Sequence, residues 1–257
     1  MRIMKNNEQE QFSNLLKILR KLRSPNGCEW DKAQTSESLI PYMIEEAYEV
    51  IEAIEKKDYI GLKEELGDLC LHILFQAELA KENNKFDIGD TLSSVSTKLV
   101  IRHPKIFNPQ LDQNKSWEEQ KKEEKNRESV LEGVPLALPA LTRSQRIQEK
   151  AAGVGFDWDN IQDVWDKINE EIDELRVAEK NNNIENIKEE IGDVLFSVVN
   201  LARYLDIDAE SSLRKTISKF EVRFKKVESH FEDKKLKLKD VSLNDMDKIW
   251  EKAKQEE

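Results

Sequence analysis

Cysteine is nearly absent from the chain. Cys28 and Cys70 are the only two in 257 residues, far apart and outside any CxxC or Cys/His cluster. A disulfide framework and a zinc site are therefore not suggested, and two ordinary thiols in a reducing cytoplasm are expected. Long hydrophobic runs are also missing. The most apolar stretch, "LCLHILFQAELA", is too short and too interrupted to span a bilayer, and the N-terminal "MRIMKNNEQEQF" has no apolar h-region. No membrane association is expected. Positive charge is in deficit, with a formal net charge of −11, so the long-range field disfavours coating nucleic acid or anionic lipid. A phosphate ligand would need a cation or a local basic patch. Glycine and proline number only 8 and 6.

What is abundant is Glu, Lys, Leu and Ile, a composition that favours long amphipathic helices over strands. An all-α protein follows, and the length suffices to bury a real core. Apolar residues at helical spacing mark a first helix through Phe12, Leu15, Leu16, Leu19 and Leu22, stopped by "SPNG". After a "CEWDKAQT" loop, further helices are expected at about 39–57, 59–82 and 87–102, the last ended by "HPKIFNP". Residues 108–135 read as a polar linker whose "KSWEEQKKEEKNRE" lacks an apolar face apart from Trp117. The pattern then restarts, with a helix to about Ala152, a "GVGFDWDN" loop, and helices over about 164–180, 184–204, a stretch ending near Phe231, and 244–254.

The restart is a duplication. Glu45 precedes Glu65 by the same interval as Glu170 precedes Glu190, and the interval from Glu49 to Asp68 equals that from Glu174 to Asp193. "CEWD" matches "FDWD", Lys98 and Arg102 match Lys219 and Arg223, and Trp117 with Lys121 matches Trp250 with Lys254. The organisation expected is an N-terminal domain over 1–107, a linker over 108–135 and a C-terminal domain over 136–257.

Within each repeat two acidic helices are joined by a short turn, so they should be antiparallel neighbours. At about 100° per residue, Glu171 and Glu174 lie roughly 60° apart on one helix face, and Glu170 and Glu174 roughly 40°. Glu190 and Asp193 form the facing pair on the next helix. Four carboxylates around one point repel unless a cation intervenes. Hard oxygen ligands without His or Cys select Mg²⁺, with Mn²⁺ as the alternative. A lone ExxE is most often a solvated helix face. Repetition of both pairs, each with a glycine one residue before the aspartate (Gly67, Gly192), weakens that reading, because a glycine costs about 1 kcal/mol inside a helix and points to a close helix or ligand approach. Lys219 and Arg223, with Trp250 and Lys254, could add phosphate-binding cations and an indole for a base, against the plainer view that Trp250 plugs the core. His72, His103 and His230 do not recur between halves, and none is given a catalytic role.

These residues, "EEAYEV…EELGDL" and "EEIDEL…EEIGDVLFSVVNLAR" with "RHPKIF", "VGFDW" and "KFEVRF", closely resemble the two-domain form of the MazG family of nucleoside triphosphate pyrophosphohydrolases. The resemblance covers nearly the whole chain. It implies four-helix-bundle units completed by dimerisation to a homodimer, Mg²⁺ dependence, and release of pyrophosphate from NTPs or dNTPs of broad base range. It implies catalysis in the second repeat, by Glu170, Glu171, Glu174, Glu190 and Asp193, with Glu171, Glu174, Glu190 and Asp193 as metal ligands. Nucleotide contacts are implied at Lys167, Ile168, Asn169, Glu170, Glu171, Asn186, Ile187, Lys188, Glu189, Asp193, Lys219, Arg223, Trp250 and Lys254. The first repeat keeps Glu46, Glu49, Glu65 and Asp68 as a second metal site, but has Tyr42, Ile44 and Gly61 where the second has Lys167, Asn169 and Asn186. A dUTPase-like enzyme of the same fold group, a carboxylate di-iron bundle and a non-enzymatic helical adaptor are the rival readings. The di-iron reading lacks the Glu-x-x-His pairs such bundles use.

Overall fold

The structure, a computed structural model, describes residues 8–108 and 128–256. Its described elements are helical: α1 (Glu8–Arg23), α2 (Glu29–Ala33), α3 (Ile40–Lys56), α4 (Tyr59–Glu82), α5 (Ile88–Arg102), α6 (Pro104–Phe107), α7 (Ala140–Ala152), α8 (Ile161–Lys180), α9 (Ile184–Tyr204), α10 (Ala209–Asp233), a 3₁₀ turn (Leu238–Asp240) and α11 (Leu243–Gln255). The chain divides into two compact units, Met1–Gln113 and Asn114–Glu257. Trp117 and Lys121 lie outside the described residues.

The two acidic helix pairs, α3 with α4 and α8 with α9, are the most extensive packing partners of their units, and their joints use the same local chemistry. Lys57 takes a left-handed φ of 56° to close α3, and the Asp58 side chain accepts from the Ile60 and Gly61 amides to start α4. Asn182 turns with φ 51° after α8, and Asn183 caps α9 by accepting from the Asn186 amide. A left-handed residue followed by a capping side chain satisfies the open ends of both helices within a few residues, so each pair folds back on itself. Asp87, Asn160, Asp208 and Ser242 cap the starts of α5, α8, α10 and α11 in the same manner.

In the first unit the core gathers Leu19 of α1, Leu39, Leu74, Phe75, Ala77 and Leu79 of α4, and Ile88. Burial of each large side chain there contributes about 1.5–3 kcal/mol. Arg20 pairs with Glu78 at 3.0 Å and Arg23 with Glu82 at 2.6 Å, tying α1 along α4. In the second unit Val164, Ile168 and Ala178 of α8, Val199 of α9, Val227 and Phe231 of α10 and Ala253 of α11 are buried. There α7 packs on α9 and α10, and α11 on α10.

Two sequence expectations need refinement. "CEWDKAQT" is not all loop, because Glu29–Ala33 forms a short helix. Pro104 ends α5 but also starts α6, since its fixed φ and missing N–H suit the first turn of a helix.

Candidate functional site

Each acidic pair converges. Carboxylate oxygens of Glu171, Glu174 and Glu190 lie within 4.8 Å of one another, and so do those of Glu46, Glu49 and Glu65. The spacing explains this: residues three apart on α8 and α3 share a face, and the short joint brings Glu190 or Glu65 of the returning helix opposite. Asp193 and Asp68 are exposed and outside these close triads, but their charge reaches them. The Glu190 carboxyl is pushed up by burial, then by repulsion from Glu174, Asp193 and Glu171. Glu46 is pushed up by burial, then by Asp68, Glu49 and Glu65, and Glu65 by burial, Glu49 and other neighbouring acids.

The second cluster differs in depth and in partners. Glu171 is only 6 % exposed. Glu190 is half-buried, and its Oε2 is closed to water without a hydrogen-bond partner. A buried carboxylate oxygen lacking a donor, next to two further acids, is what a hard divalent cation would correct, so the residues present fit such an ion. Lys167, one turn earlier, places its Nζ 2.6 Å from Glu171 and 3.1 Å from Glu170. Those two hydrogen-bonded acids hold the ammonium above the ordinary lysine range. In the first unit Tyr42 stands at the corresponding position, stacked on His72 at 6.4 Å and edge-on to Trp30 at 6.0 Å. Burial pushes the His72 imidazole down despite Asp68.

A cleft of about 450 Å³ opens beside the second cluster and is lined by Glu170, Glu174, Asn186 and Glu190 among others. Four sequence candidates thus meet in one depression. Asp173 and Asn181 also line it, and sequence reasoning missed both. The "NNN" joint was the available signal for Asn181, and the acidic face of α8 for Asp173. Asn169, Lys188 and Glu189 are exposed and Ile187 is half-buried; Lys188 pairs with Glu185 at 2.8 Å. Ile168 is 5 % exposed and belongs to the core, where its side chain supports α8 from beneath.

The basic and aromatic candidates form a group on α10 and α11. Trp250 packs on Phe220 at 5.0 Å, and the Arg223 guanidinium lies 5.7 Å from its ring centre. Lys254 lies 3.6 Å from Glu251, one turn back on α11. The half-buried indole thus has Phe220 and Arg223 as neighbours, the guanidinium within cation–π reach of its ring. The glycines give a different result from expectation. A Cβ at Gly67 or Gly192 would meet nothing within 4 Å, so neither is required for helix packing within the chain.

Among the described residues no helix is long and apolar enough to cross a membrane. A family profile described as the MazG nucleotide pyrophosphohydrolase domain matches residues 34–107 and again 160–228. The nucleoside triphosphate pyrophosphohydrolase/pyrophosphatase MazG of Thermotoga maritima is 46 % identical over 246 residues, covering 95 % of each chain. The nucleoside triphosphate pyrophosphohydrolase of Escherichia coli K12 is 42 % identical, covering 96 % of this chain and 98 % of its own. The uncharacterized protein YabN of Bacillus subtilis is 43 % identical over 96 % of this chain but only 52 % of its own length. Each match places its acidic helix pair in the matched span, and the chain therefore belongs to the MazG nucleotide pyrophosphohydrolase family, carrying its domain twice.

Proposed function

We infer that this chain hydrolyses nucleoside triphosphates to the monophosphate and pyrophosphate, and that the second unit does the work. The observation that carries the reading is the buried, unpartnered Oε2 of Glu190 amid Glu171 and Glu174, within a family whose relatives bear this activity in their names. Glu171, Glu174, Glu190 and Asp193 would hold Mg²⁺, or Mn²⁺ in its place. The chemistry supplied by such an ion is neutralisation of phosphate charge and a water made easier to deprotonate.

The chain's own groups do the rest. Glu170, exposed at the cleft and steered by Lys167 at 3.1 Å, orients the attacking water and takes its proton. Lys219, Arg223 and Lys254 offer cations for the phosphates and for charge on the leaving pyrophosphate. Trp250 holds Arg223 in position. The first unit repeats the acid cluster but lacks Lys167 and Asn186, which suits a structural or regulatory relative of the working site. Exposed Ile191, Leu195 and Val198 form one stripe of α9 at helical spacing, the surface a second copy would cover to complete a four-helix bundle as a homodimer. The two free, half-buried thiols Cys28 and Cys70 suit a reducing cytoplasm.

The test is product identification after incubation with Mg²⁺ and each NTP and dNTP. Monophosphate plus pyrophosphate across several bases is expected. Orthophosphate with a diphosphate product would defeat the reading, turnover of dUTP alone would replace it with a dUTPase-like enzyme, and no turnover would favour an adaptor.

A further inference from the structure

Lys150, near the end of α7, is only 4 % exposed. A lysine is almost never buried to that degree unless its Nζ has specific partners, and an apolar side chain of similar length packs in such a place at less cost. Here the Nζ donates to the Val130 carbonyl at 2.8 Å, 20 residues back along the chain. The register set by Trp30 and Trp158 puts Leu22 at the corresponding place of the first unit, and Leu22 is 37 % exposed. The buried lysine is therefore a feature that the repeat does not share.

What Lys150 holds is a self-bonded turn. The Ser129 amide donates to the Glu132 carboxylate at 3.1 Å, the Leu131 amide donates to Ser129 Oγ at 3.2 Å, and Gly133 continues the turn with a left-handed φ of 82°. From there the chain runs to Pro139, the residue that caps the start of α7. Val130 is thus held near the end of the helix and Pro139 at its beginning, so residues 130–139 return along about 16 Å of its length. Pro135 and Pro139 each fix a φ and stiffen that return. Residues 129–139 form a strap fastened to α7 at both ends.

The strap closes one side of a depression of about 510 Å³. Leu131 shares that lining with Ile147 and Gln148 of α7, Phe156 and Trp158 of the loop before α8, and Phe196 of α9. The other sides are tied down. Asp157 receives the Arg203 guanidinium at 3.0 Å, and the Gln148 Nε2 donates to the Phe196 carbonyl at 2.9 Å. Asn200, also in the lining, stands by the Glu65 and Glu190 register where the first unit buries Phe75 beside Leu19 and Leu74, so the second unit keeps a cavity where the first is filled. Glu190, Asp193 and Ser197 follow one another at helical spacing on α9. A substrate anchored at the acids and lying along that helix comes up against the strap.

Resting on the pyrophosphohydrolase reading above, we propose that Lys150 is a positioning residue for substrate binding: by clamping Val130 it holds the strap on α7, and with it Leu131 as the wall that retains the bound nucleotide. The clamp acts on affinity and not on the chemical step, because the acids of the second cluster lie on α8 and on the earlier turns of α9.

The test compares wild type with Lys150→Met, which keeps an unbranched side chain in the buried position but removes the donor, with Leu131→Ala, which leaves the clamp and trims the wall, and with the double variant. Hydrogen exchange of peptides spanning residues 128–139 reads the strap, and kcat and KM for ATP with Mg²⁺ read the site. Lys150→Met is expected to speed strap exchange at least tenfold and to raise KM at least fivefold, with kcat within twofold of wild type. Leu131→Ala is expected to raise KM at least threefold with strap exchange within twofold. The double variant should stay within twofold of the Lys150→Met KM, since a released wall has nothing further to lose. In wild type, α,β-methylene-ATP with Mg²⁺, which is not cut at that bond, should slow strap exchange at least fivefold, because ligand and closed strap favour each other reciprocally. Should Lys150→Met not fold, this protection and the Leu131→Ala KM decide. An unchanged KM in Lys150→Met, a fall in kcat at constant KM, or multiplied effects in the double variant overturns the proposal. If wild type cleaves no NTP yet its strap responds to both Lys150→Met and α,β-methylene-ATP, the clamp stands and the activity falls. If it cleaves NTPs while its strap ignores α,β-methylene-ATP, the activity stands and the clamp's part in binding falls.

Discussion

Where the first unit places Phe75, 3 % exposed, against Leu19 and Leu74, the second places Asn200 on the wall of a cavity. Where the second has Lys167 clasping Glu170 and Glu171, the first has Tyr42 stacked on His72 and edge-on to Trp30. The acids converge equally in both, each triad closing within 4.8 Å, with Glu171 buried where Glu46 is half-buried. The two units thus share the feature that repels itself and differ in what surrounds it. One copy has turned its surroundings into packed hydrocarbon and aromatic rings, the other into a countercharge and open space. Carboxylates at matching spacing therefore do not distinguish the two copies, and the neighbours one turn away do.

The largest difference is expected between equivalent acids. Glu174→Ala should lower pyrophosphate release by about a thousandfold or more, since metal-centred stabilisation of phosphate charge contributes several kcal/mol. Glu49→Ala should leave release within about twofold. A coupled pyrophosphate assay on both variants reads this, and the reverse order would move the working site to the first unit.

Next is the contrast at the register position that separates core from cavity. Phe75→Ala should destabilise the first unit by about 3–5 kcal/mol, the usual cost of removing a buried ring. Asn200→Ala in the second should cost about 1 kcal/mol, because it removes the hydrogen bond that Asn200 Oδ1 accepts from Arg203 at 2.9 Å but no buried ring. Urea unfolding curves decide it, and similar costs at both positions would show that Asn200 is packed as tightly as Phe75.

A smaller effect concerns an ion pair within each unit. Arg203 keeps the Asp157 carboxyl below the usual aspartate range by hydrogen bonding, as Arg23 does for Glu82 in the first unit. A depressed folded-state value contributes stability that is fully present above the unfolded pKa and lost as pH falls through the folded one. Asp157→Asn should therefore cost about 1 kcal/mol at neutral pH and nothing once the carboxylate is protonated in both states. Unfolding midpoints of variant and wild type measured from pH 7 downward should converge; a constant gap would assign the loss to packing.

The smallest effect is at the glycines. With open space around a Cβ at both positions, Gly67→Ala and Gly192→Ala should each raise helix stability by up to about 1 kcal/mol. If a second copy or substrate approaches α9 closely, Gly192→Ala should reduce turnover or dimerisation while Gly67→Ala does not. Sedimentation alongside the pyrophosphate assay reads both.

Much of this was legible in the sequence because it is local. The short joints between the acidic helices, the helical period of Phe12, Leu15, Leu16, Leu19 and Leu22, and the Glu and Asp spacings on each helix act within a few residues of one another. So does the Lys167, Glu170 and Glu171 spacing, which allows the ion pairs now seen, although sequence reading had assigned Lys167 to the nucleotide through resemblance alone. The cavity was not legible. It depends on Gln148 of α7 meeting the Phe196 carbonyl of α9, 48 residues away, and on a space defined by the ring that Asn200 does not carry. The engagement of Trp250 by Phe220 and Arg223 is tertiary in the same sense: its position suggested an aromatic partner for a base, and packing gave it a partner within the chain.

The ammonium of Lys167, 2.6 Å from Glu171, changes the economics of loading. A divalent ion entering the second cluster would have to displace this ammonium from Glu171, while one entering the first cluster would meet acids with Tyr42 beside them. Such an exchange would weaken the second cluster's hold on a lone cation and free a positive side chain beside it, where the first cluster has Tyr42 in place of Lys167.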